Sequence, residues 1–223
     1  GLTIRSINAL QGFDRFDATR MAETRALVRY AADCGAQALV LCPTNDRADP
    51  RSAEQRHDDL VHALSELQPL LSDHGLLGLV ESLGFAQCAL RRKSAAVRAI
   101  ERVAGPACFA LVHDTFHHHL AGEATLFADL TGLVHISGVE DPALATERMR
   151  DPHRVLVGPA DRLGNVRQLR DLLAAGYRGK VSFEPFADAI ITASDIEQRL
   201  AASMAYLSAA VAASTGADGS SVR

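Results

Sequence analysis

Four short apolar runs of the sequence each end on a side chain that could bind a metal ion or move a proton. They are Glu81 after LLGLV, Asp114 after FALVH, His135 after LV, and Glu184 after VSF. If the runs are parallel strands of one barrel, their ends meet at one edge, and the four side chains face a common centre. Three carboxylates and one imidazole make an oxygen-rich set that suits Mn²⁺, Mg²⁺ or Co²⁺ and also accepts Zn²⁺.

Each of these residues also has a simpler explanation when it is taken alone. A glutamate at a strand end is commonly a solvated charge, and a histidine inside VHIS is commonly a hydrogen-bonded core residue. Four such residues on four separate strands are harder to explain in this way, because buried carboxylates without partners or a metal are costly. The sequence therefore favours a metal centre over four unrelated polar residues.

The remaining histidines near this motif are predicted to be structural or exposed. His113 directly precedes Asp114, and alternation along a strand points it outward, toward the helices. His118 and His119 follow in the next loop, where we expect exposure to solvent.

The sequence around these residues alternates short apolar runs with longer stretches of helical period. Strands are predicted at residues 2–10, 38–43, 76–82, 108–114, 133–137 and 180–186. Helices are predicted at residues 19–34, 51–74, 92–104, 120–130, 165–175 and 193–212. Glycines stand where helices should end, at Gly35, Gly75, Gly105 and Gly176. This order predicts repeated β-α units and a parallel sheet with helical crossovers.

Composition limits the classes of protein to consider. The 223 residues are 48% hydrophobic and 22% charged, which predicts one domain with one core. A net charge of −4 with scattered basic residues excludes a basic stripe for nucleic acid. No apolar run is long enough for a bilayer, and no secretion signal is visible. The cysteines are widely spaced, at Cys34, Cys42, Cys88 and Cys108, and three of them lie inside or beside apolar runs, where a buried free thiol is usual; this favours a reducing, cytoplasmic compartment.

The predicted domain is incomplete as a barrel. Only six strands can be counted, whereas a closed barrel of this type has eight, so we expect either two further units before residue 1 or an open fold. Residues 1–213 are assigned to the barrel and the Gly/Ser/Ala-rich residues 214–223 to a disordered tail. The segment 139–165 lacks periodicity and is predicted to be a functional loop, with Met149 and its neighbouring charges in solvent.

Several strings resemble a known family. VESLGFAQC, LVHDTFHHH, VHIS and VSFEPF are similar to the strand ends of the xylose isomerase-like barrels, most of all the 2-keto-myo-inositol (inosose) isomerase branch. The resemblance runs from residue 2 to about residue 212. It implies an α/β fold, a (β/α)8 TIM barrel of the xylose isomerase-like type that here lacks the first two β-α units.

The resemblance also implies roles for particular residues. One divalent metal ion, Mn²⁺ by preference, would be held by Glu81, Asp114, His135 and Glu184. The two glutamates would face opposite sides of the substrate and act as catalytic base and acid. Substrate-binding residues would be His117, Gln87 and Arg154.

The implied activity is isomerisation or epimerisation of a small polyhydroxylated ketone through an enediolate. Inosose isomerisation is the preferred reaction because ketose 3-epimerases carry Glu at the place of Gln87. Hydroxypyruvate isomerases and inosose dehydratases share the metal ligands and stay as alternatives. The expected partner is a small polyol ketone, with no nucleic acid and no membrane; self-association is left open.

Two alternatives belong to other classes. Apurinic-site endonucleases share the barrel and use an Asp-x-His pair, which Asp151-Pro152-His153 matches in form. They assemble three metals with extra histidines on earlier strands, and the strand ends INAL and CPTND offer none. The other alternative is a non-catalytic truncated barrel, whose exposed strand edges would need a covering partner.

Overall fold

A computed structural model describes residues 1–213, and the predicted tail 214–223 lies outside the described residues. The strands are β1 Ser6–Gln11, β2 Ala38–Cys42, β3 Leu77–Glu81, β4 Phe109–Asp114, β5 Thr131–Ile136 and β6 Lys180–Phe183. The helices are α1 Ala18–Asp33, α2 Ala53–Asp73, α3 Lys93–Arg102, α4 Thr115–Ala121, α5 Asn165–Ala174, α6 Asp188–Ile191 and α7 Ile196–Ala212. Short 3-10 turns occur at Ala128–Leu130, Thr146–Arg148 and Asp151–His153.

The six strands form one sheet in chain order, and every neighbouring pair is parallel. This confirms the predicted repetition of β-α units. The sheet is an open part of a barrel with β1 and β6 at its two edges. A link between these edges comes from Asn8 on β1, whose Nδ2 donates to Oε1 of Glu184 at 2.8 Å. Because all six strands are parallel, the carboxyl ends that carry the candidate ligands lie on the same side of the sheet.

Two apolar layers hold the sheet. Inside the curved sheet, β2 to β5 contribute the buried side chains Val40, Leu79, Val112 and Leu133. Outside it, α1, α2 and α3 pack their apolar faces on the strands, as Val28, Leu64 and Ile100 illustrate. β2 is buried at every residue, which explains why ALVLC has no polar alternation. Among the described residues no helix is long and apolar enough to span a bilayer.

One predicted helix is wrong. The sequence predicts a helix over residues 120–130, but α4 covers Thr115–Ala121 and ends at Gly122, which has a positive φ of 60°. The side chain of Glu123 then leaves the helical path and accepts hydrogen bonds from the backbone N–H groups of Lys93 and Ser94. Glu123 thus caps α3, because the N-cap residue Arg92 makes no capping hydrogen bond with its side chain among the described residues.

Candidate metal centre

The four strand-end residues predicted as metal ligands meet at one point. Each offers one ligand atom, and these atoms lie within 4.8 Å of one another. Glu81, Asp114 and His135 are buried, while 15% of the Glu184 side chain is exposed. The centre therefore has a closed inner side formed by β3, β4 and β5 and an accessible side next to β6. The described residues contain one such group of potential ligands.

His135 joins the two glutamates. Its Nδ1 lies 3.0 Å from Oε1 of Glu81 and 3.4 Å from Oε1 of Glu184. Burial alone would lower the pKa of His135, but hydrogen bonds to Glu184 and Glu81 and their negative charges outweigh it and raise the pKa to about 10. This raised pKa favours the imidazolium form of His135, which lies between the two carboxylates.

Asp114 serves two structural purposes at once. It ends β4 and is the N-cap of α4, where its Oδ1 accepts a hydrogen bond from the backbone N–H of His117 at 2.9 Å. Its Oδ2 accepts a hydrogen bond of 2.6 Å from Nη2 of Arg154. Burial opposes ionisation, but the positive charge of Arg154 and the hydrogen bond from His117 hold the pKa of Asp114 well below its usual range.

The donor set fits a divalent ion. Burial and the negative charges of Glu81 and Asp114 raise the pKa of Glu184, against the opposing effect of His135. Three carboxylates carry three negative charges, and Arg154 neutralises one of them. A divalent ion balances the remaining two once His135 has lost its proton. Hard oxygen donors with one imidazole suit Mn²⁺, Mg²⁺, Co²⁺ or Zn²⁺.

This charge balance predicts that metal binding releases a proton. Because the pKa of His135 is raised to about 10 and an imidazole must lose this proton to bind a metal, we expect roughly one proton to leave per ion bound between pH 7 and 9. The affinity should then rise about tenfold per pH unit in this range. Calorimetric titration with Mn²⁺ in two buffers of different ionisation enthalpy measures the number of protons released per ion bound. Equal heats in both buffers would show that His135 is already neutral.

His117 lies beside the centre in an aromatic setting. It is buried, and the rings of Phe85 and Phe116 stand edge-on to it with centroids 5.1 and 5.2 Å away. Burial lowers its pKa, so the ring is neutral, and its Nδ1 has no hydrogen-bond partner among the described residues. Gln87 is half-buried in the loop after β3 and makes no hydrogen bond to the four ligands in residues 1–213. Substrate binding by both stays a prediction.

Gly84 explains part of the VESLGFAQC string. A methyl group at this position would overlap the carbonyl oxygen of His117 and lie 2.7 Å from Cβ of Leu120. The loop after β3 therefore packs directly on α4, the helix that positions His117. We expect Gly84→Ala to lower the free energy of unfolding by about 1 to 3 kcal/mol, because backbone must shift to make room.

The matched control for this prediction is Gly158→Ala, whose new methyl group would meet only the end of the flexible Glu140 side chain. Chemical denaturation of both variants, compared with the unmutated chain, measures the difference. Equal stability of the two variants would contradict the tight contact.

The loop between β5 and α5 supplies Arg154. The guanidinium is 1% exposed, and Nε donates to Oγ of Ser137 while Nη2 donates to Asp114 and Glu184. A substrate contact by Arg154 stays a prediction. The expectation that Met149 lies in solvent is wrong, since Met149 is fully buried in an apolar cluster with Phe85 and Phe116. This loop is a packed wall of the site.

The neighbouring histidines are structural, though less exposed than the sequence predicts. His113 points away from the centre, where its Nδ1 accepts from Nζ of the buried Lys93 at 2.7 Å and its Nε2 donates to Oε1 of Gln168. The predicted solvent exposure of His118 and His119 is wrong. Both are half-buried, because α4 continues through them and His118 packs against the His113 ring at 4.7 Å. The outward direction of His113 is as predicted.

Three residues at the site escaped sequence reasoning. Cys42, at the end of β2, places its Sγ 3.4 Å from Oε2 of Glu81. Asn8 donates to Glu184 from the opposite edge strand, and Ser137 accepts from Arg154. The strand-end rule that found the four ligands also covers Cys42, whereas nothing local marks Asn8. The Asp151 and His153 side chains are bonded within their own loop, to Arg154 and to the backbone N–H of Arg150.

Comparison with known proteins places this geometry in a family. The family model described as xylose isomerase-like TIM barrel matches residues 1–210. A xylose isomerase domain containing protein from Salmonella typhimurium LT2 shares 35% sequence identity with a TM-score of 0.85, covering 93% of this chain and 76% of that one. A search among curated proteins gave no match.

Two further solved structures share the fold at lower identity. The IolI protein with a bound zinc atom is 21% identical with a TM-score of 0.79, covering 95% of this chain and 77% of that one. D-psicose 3-epimerase from Clostridium cellulolyticum H10 is 16% identical with a TM-score of 0.73, covering 95% of this chain and 79% of that one. With six parallel strands in chain order and a family match along nearly its whole length, the chain belongs to the xylose isomerase-like TIM barrel family.

Proposed function

We propose that this protein is a divalent-metal-dependent isomerase or epimerase of a small polyhydroxylated ketone, with inosose isomerisation as the preferred reaction. The observation that carries the proposal is the convergence of Glu81, Asp114, His135 and Glu184 within 4.8 Å at the carboxyl ends of four parallel strands. In barrels of this kind that face holds the active site.

The site supplies what the reaction requires. Removing the proton beside a ketone gives an enediolate, and a divalent ion bound at the four ligands would supply positive charge beside the oxygens where negative charge develops. Glu81 and Glu184 come from different strands, β3 and the end of β6. In an isomerisation one ionised carboxylate can accept the proton and return it to the neighbouring carbon; in an epimerisation the other glutamate would start protonated and donate its own proton. His117, neutral and buried, is placed to hold a substrate oxygen.

Glu184 is the better candidate for the group that first accepts the proton. It is the ligand with an exposed edge, and the neighbouring carboxylates and burial raise its pKa, which strengthens it as a base. Glu81 is buried, with one oxygen near Cys42 and the other near His135. In an isomerisation Glu184 would itself return the proton that it accepted, whereas in an epimerisation Glu81 would have to start protonated to donate one from the other side.

The related structures support the class of substrate and metal. D-psicose 3-epimerase has been solved with D-tagatose, and a 3-keto-D-glucoside 4-epimerase from E. coli shares the fold at 18% identity, so small sugar ketones are a common theme. The IolI protein binds zinc. We propose Mn²⁺ for this chain, with Mg²⁺, Co²⁺ or Zn²⁺ as alternatives. Gln87 favours a cyclitol ketone over a ketohexose as substrate. The alternative activities are those of a ketose 3-epimerase, a hydroxypyruvate isomerase and an inosose dehydratase.

The four free cysteines fit the reducing cytoplasm.

Hydrogen exchange tests the proposal even while the product is unidentified. Inosose and, separately, a ketohexose are incubated with the protein and Mn²⁺ in D₂O, and proton NMR follows loss of the α-hydrogen signal. We expect exchange with inosose. Exchange with the ketohexose alone would move the assignment to an epimerase, and no exchange across a panel of small ketones would defeat the proposed function.

A further inference from the structure

The Arg154 side chain is enclosed by protein on every side. Its edges are occupied by Oγ of Ser137 at 2.9 Å, Oδ2 of Asp114 at 2.6 Å and Oε2 of Glu184 at 2.8 Å. Oδ1 of Asp151 lies 3.4 Å from the remaining nitrogen. Each of the three guanidinium nitrogens thus has an oxygen partner among the described residues.

Two aromatic rings also lie close to the same group. The guanidinium carbon lies 4.9 Å from the ring centroid of Phe116 and 4.9 Å from that of Phe186. Phe186 is held in place because its backbone N–H donates to the carbonyl of Arg154. Two cation–π contacts and a set of bonded edges fix the guanidinium in one position.

The group that Arg154 serves is a set of like charges. Asp114, Glu184 and Glu81 bring three carboxylates within 4.8 Å, where in the absence of a metal they repel one another strongly in a poorly solvated site. His135 bonds Glu81 and approaches Glu184, while the ion pair of Asp114 among the described residues is the one with Arg154. A single Arg154 nitrogen bridges Asp114 and Glu184, which come from β4 and the end of β6.

We propose that Arg154 is a positioning residue, a built-in counter-ion that keeps Asp114 and Glu184 in metal-binding positions when no metal is bound. This inference rests on the proposed metal centre, and the substrate contact expected for Arg154 stays a separate prediction. It also sets the charge of the centre, because Arg154 leaves two negative charges for a divalent ion to neutralise.

A double-mutant cycle on metal-free protein tests this role. If Arg154 is a counter-ion, Arg154→Met removes the cation that bridges the buried Asp114 and the partly buried Glu184, and it should lower the thermal midpoint of the full chain by roughly 6 °C or more. Adding Glu184→Gln to Arg154→Met removes one stranded charge and should recover a large part of that loss. In the unmutated chain Glu184→Gln breaks bonds and should lower the midpoint. The control is Arg148→Met, an exposed arginine of the same loop.

Adding Mn²⁺ gives a second readout. The ion supplies the missing positive charge, so it should raise the midpoint of Arg154→Met by more than it raises that of the unmutated chain. If Arg154→Met is too unstable to purify, Arg154→Lys serves instead, because it keeps the charge and loses the bridge. We expect the thermal midpoint of Arg154→Lys to lie between those of the unmutated chain and Arg154→Met.

The outcomes separate this inference from the proposed function. Additive losses of thermal midpoint from Arg154→Met and Glu184→Gln would mean that Arg154 acts by packing. Unchanged stability of Arg154→Met with a KM raised tenfold or more would make Arg154 a substrate contact. Either result overturns the counter-ion role. If the effects of Arg154→Met and Glu184→Gln on the thermal midpoint are not additive but the protein binds no Mn²⁺, the counter-ion role of Arg154 is supported and the proposed catalytic function is defeated.

Discussion

Glu184→Gln is expected to reduce exchange of the substrate α-hydrogen with D₂O by about 10²- to 10⁴-fold, because an amide keeps the shape of the side chain but cannot accept the proton. The amide oxygen can still face the centre and accept a hydrogen bond from Asn8 or Arg154, both of which contact Glu184. We therefore expect the variant to fold and to retain at least part of its metal content.

The measurement is proton NMR of substrate in D₂O with Mn²⁺, together with the metal content of the same sample. Glu197→Gln, an exposed glutamate on α7, is the matched control and should exchange at the unmutated rate. Loss of exchange with full metal content identifies Glu184 as the base. Retention of exchange in Glu184→Gln would assign proton removal to another group, with Glu81 next to be tested.

Asp114→Asn is expected to weaken Mn²⁺ binding by roughly 100-fold or more, since it removes one of three anionic ligands from the centre. Asparagine retains an oxygen that can cap α4 by accepting from the N–H of His117, so the local backbone should be kept. The expected loss therefore reports on charge at the metal centre, with little contribution from unfolding of α4.

Titration followed by electron paramagnetic resonance of free Mn²⁺ measures the affinity. The control is Asp129→Asn, an exposed aspartate in the turn before β5, which should bind Mn²⁺ like the unmutated chain. Unchanged affinity in Asp114→Asn with intact secondary structure would remove Asp114 from the ligand set and with it the four-residue centre.

Most of the sheet is predictable from sequence because its strands are short, apolar and separated by amphipathic stretches. The runs around Val40, Leu79 and Val112 are buried on both faces, so they form continuous apolar segments. The failure at residues 120–130 has a local cause. Gly122 ends α4 early, and the capping role of Glu123 depends on α3, which is distant in sequence.

The metal ligands are predictable for a different reason. Parallel strands bring their carboxyl ends together, so a polar residue at the end of an apolar run marks the site even when long-range contacts are unknown. Glu81, Asp114 and His135 follow this rule directly. Cys42 follows it too, but a thiol at a strand end also suits a buried core, so its approach to Glu81 becomes visible only in three dimensions.

The supporting residues could not be predicted because they depend on contacts across the fold. Asn8 reaches Glu184 over 176 positions of sequence, and Gln168 on α5 reaches His113 over 55. Met149 sits in a segment rich in charged residues, where local composition predicts solvent exposure, yet it packs with Phe116 beneath the loop. Local periodicity carries no information on such pairings.

The central claim is that Glu81, Asp114, His135 and Glu184 hold one divalent ion. Crystals grown with Mn²⁺, measured at the manganese absorption edge, test it most directly. We predict one anomalous peak per chain at about 2 to 2.3 Å from an oxygen or nitrogen of each of the four residues. Three peaks would favour an endonuclease-type centre, and the absence of a peak between these residues in protein that is otherwise well ordered would contradict the claim.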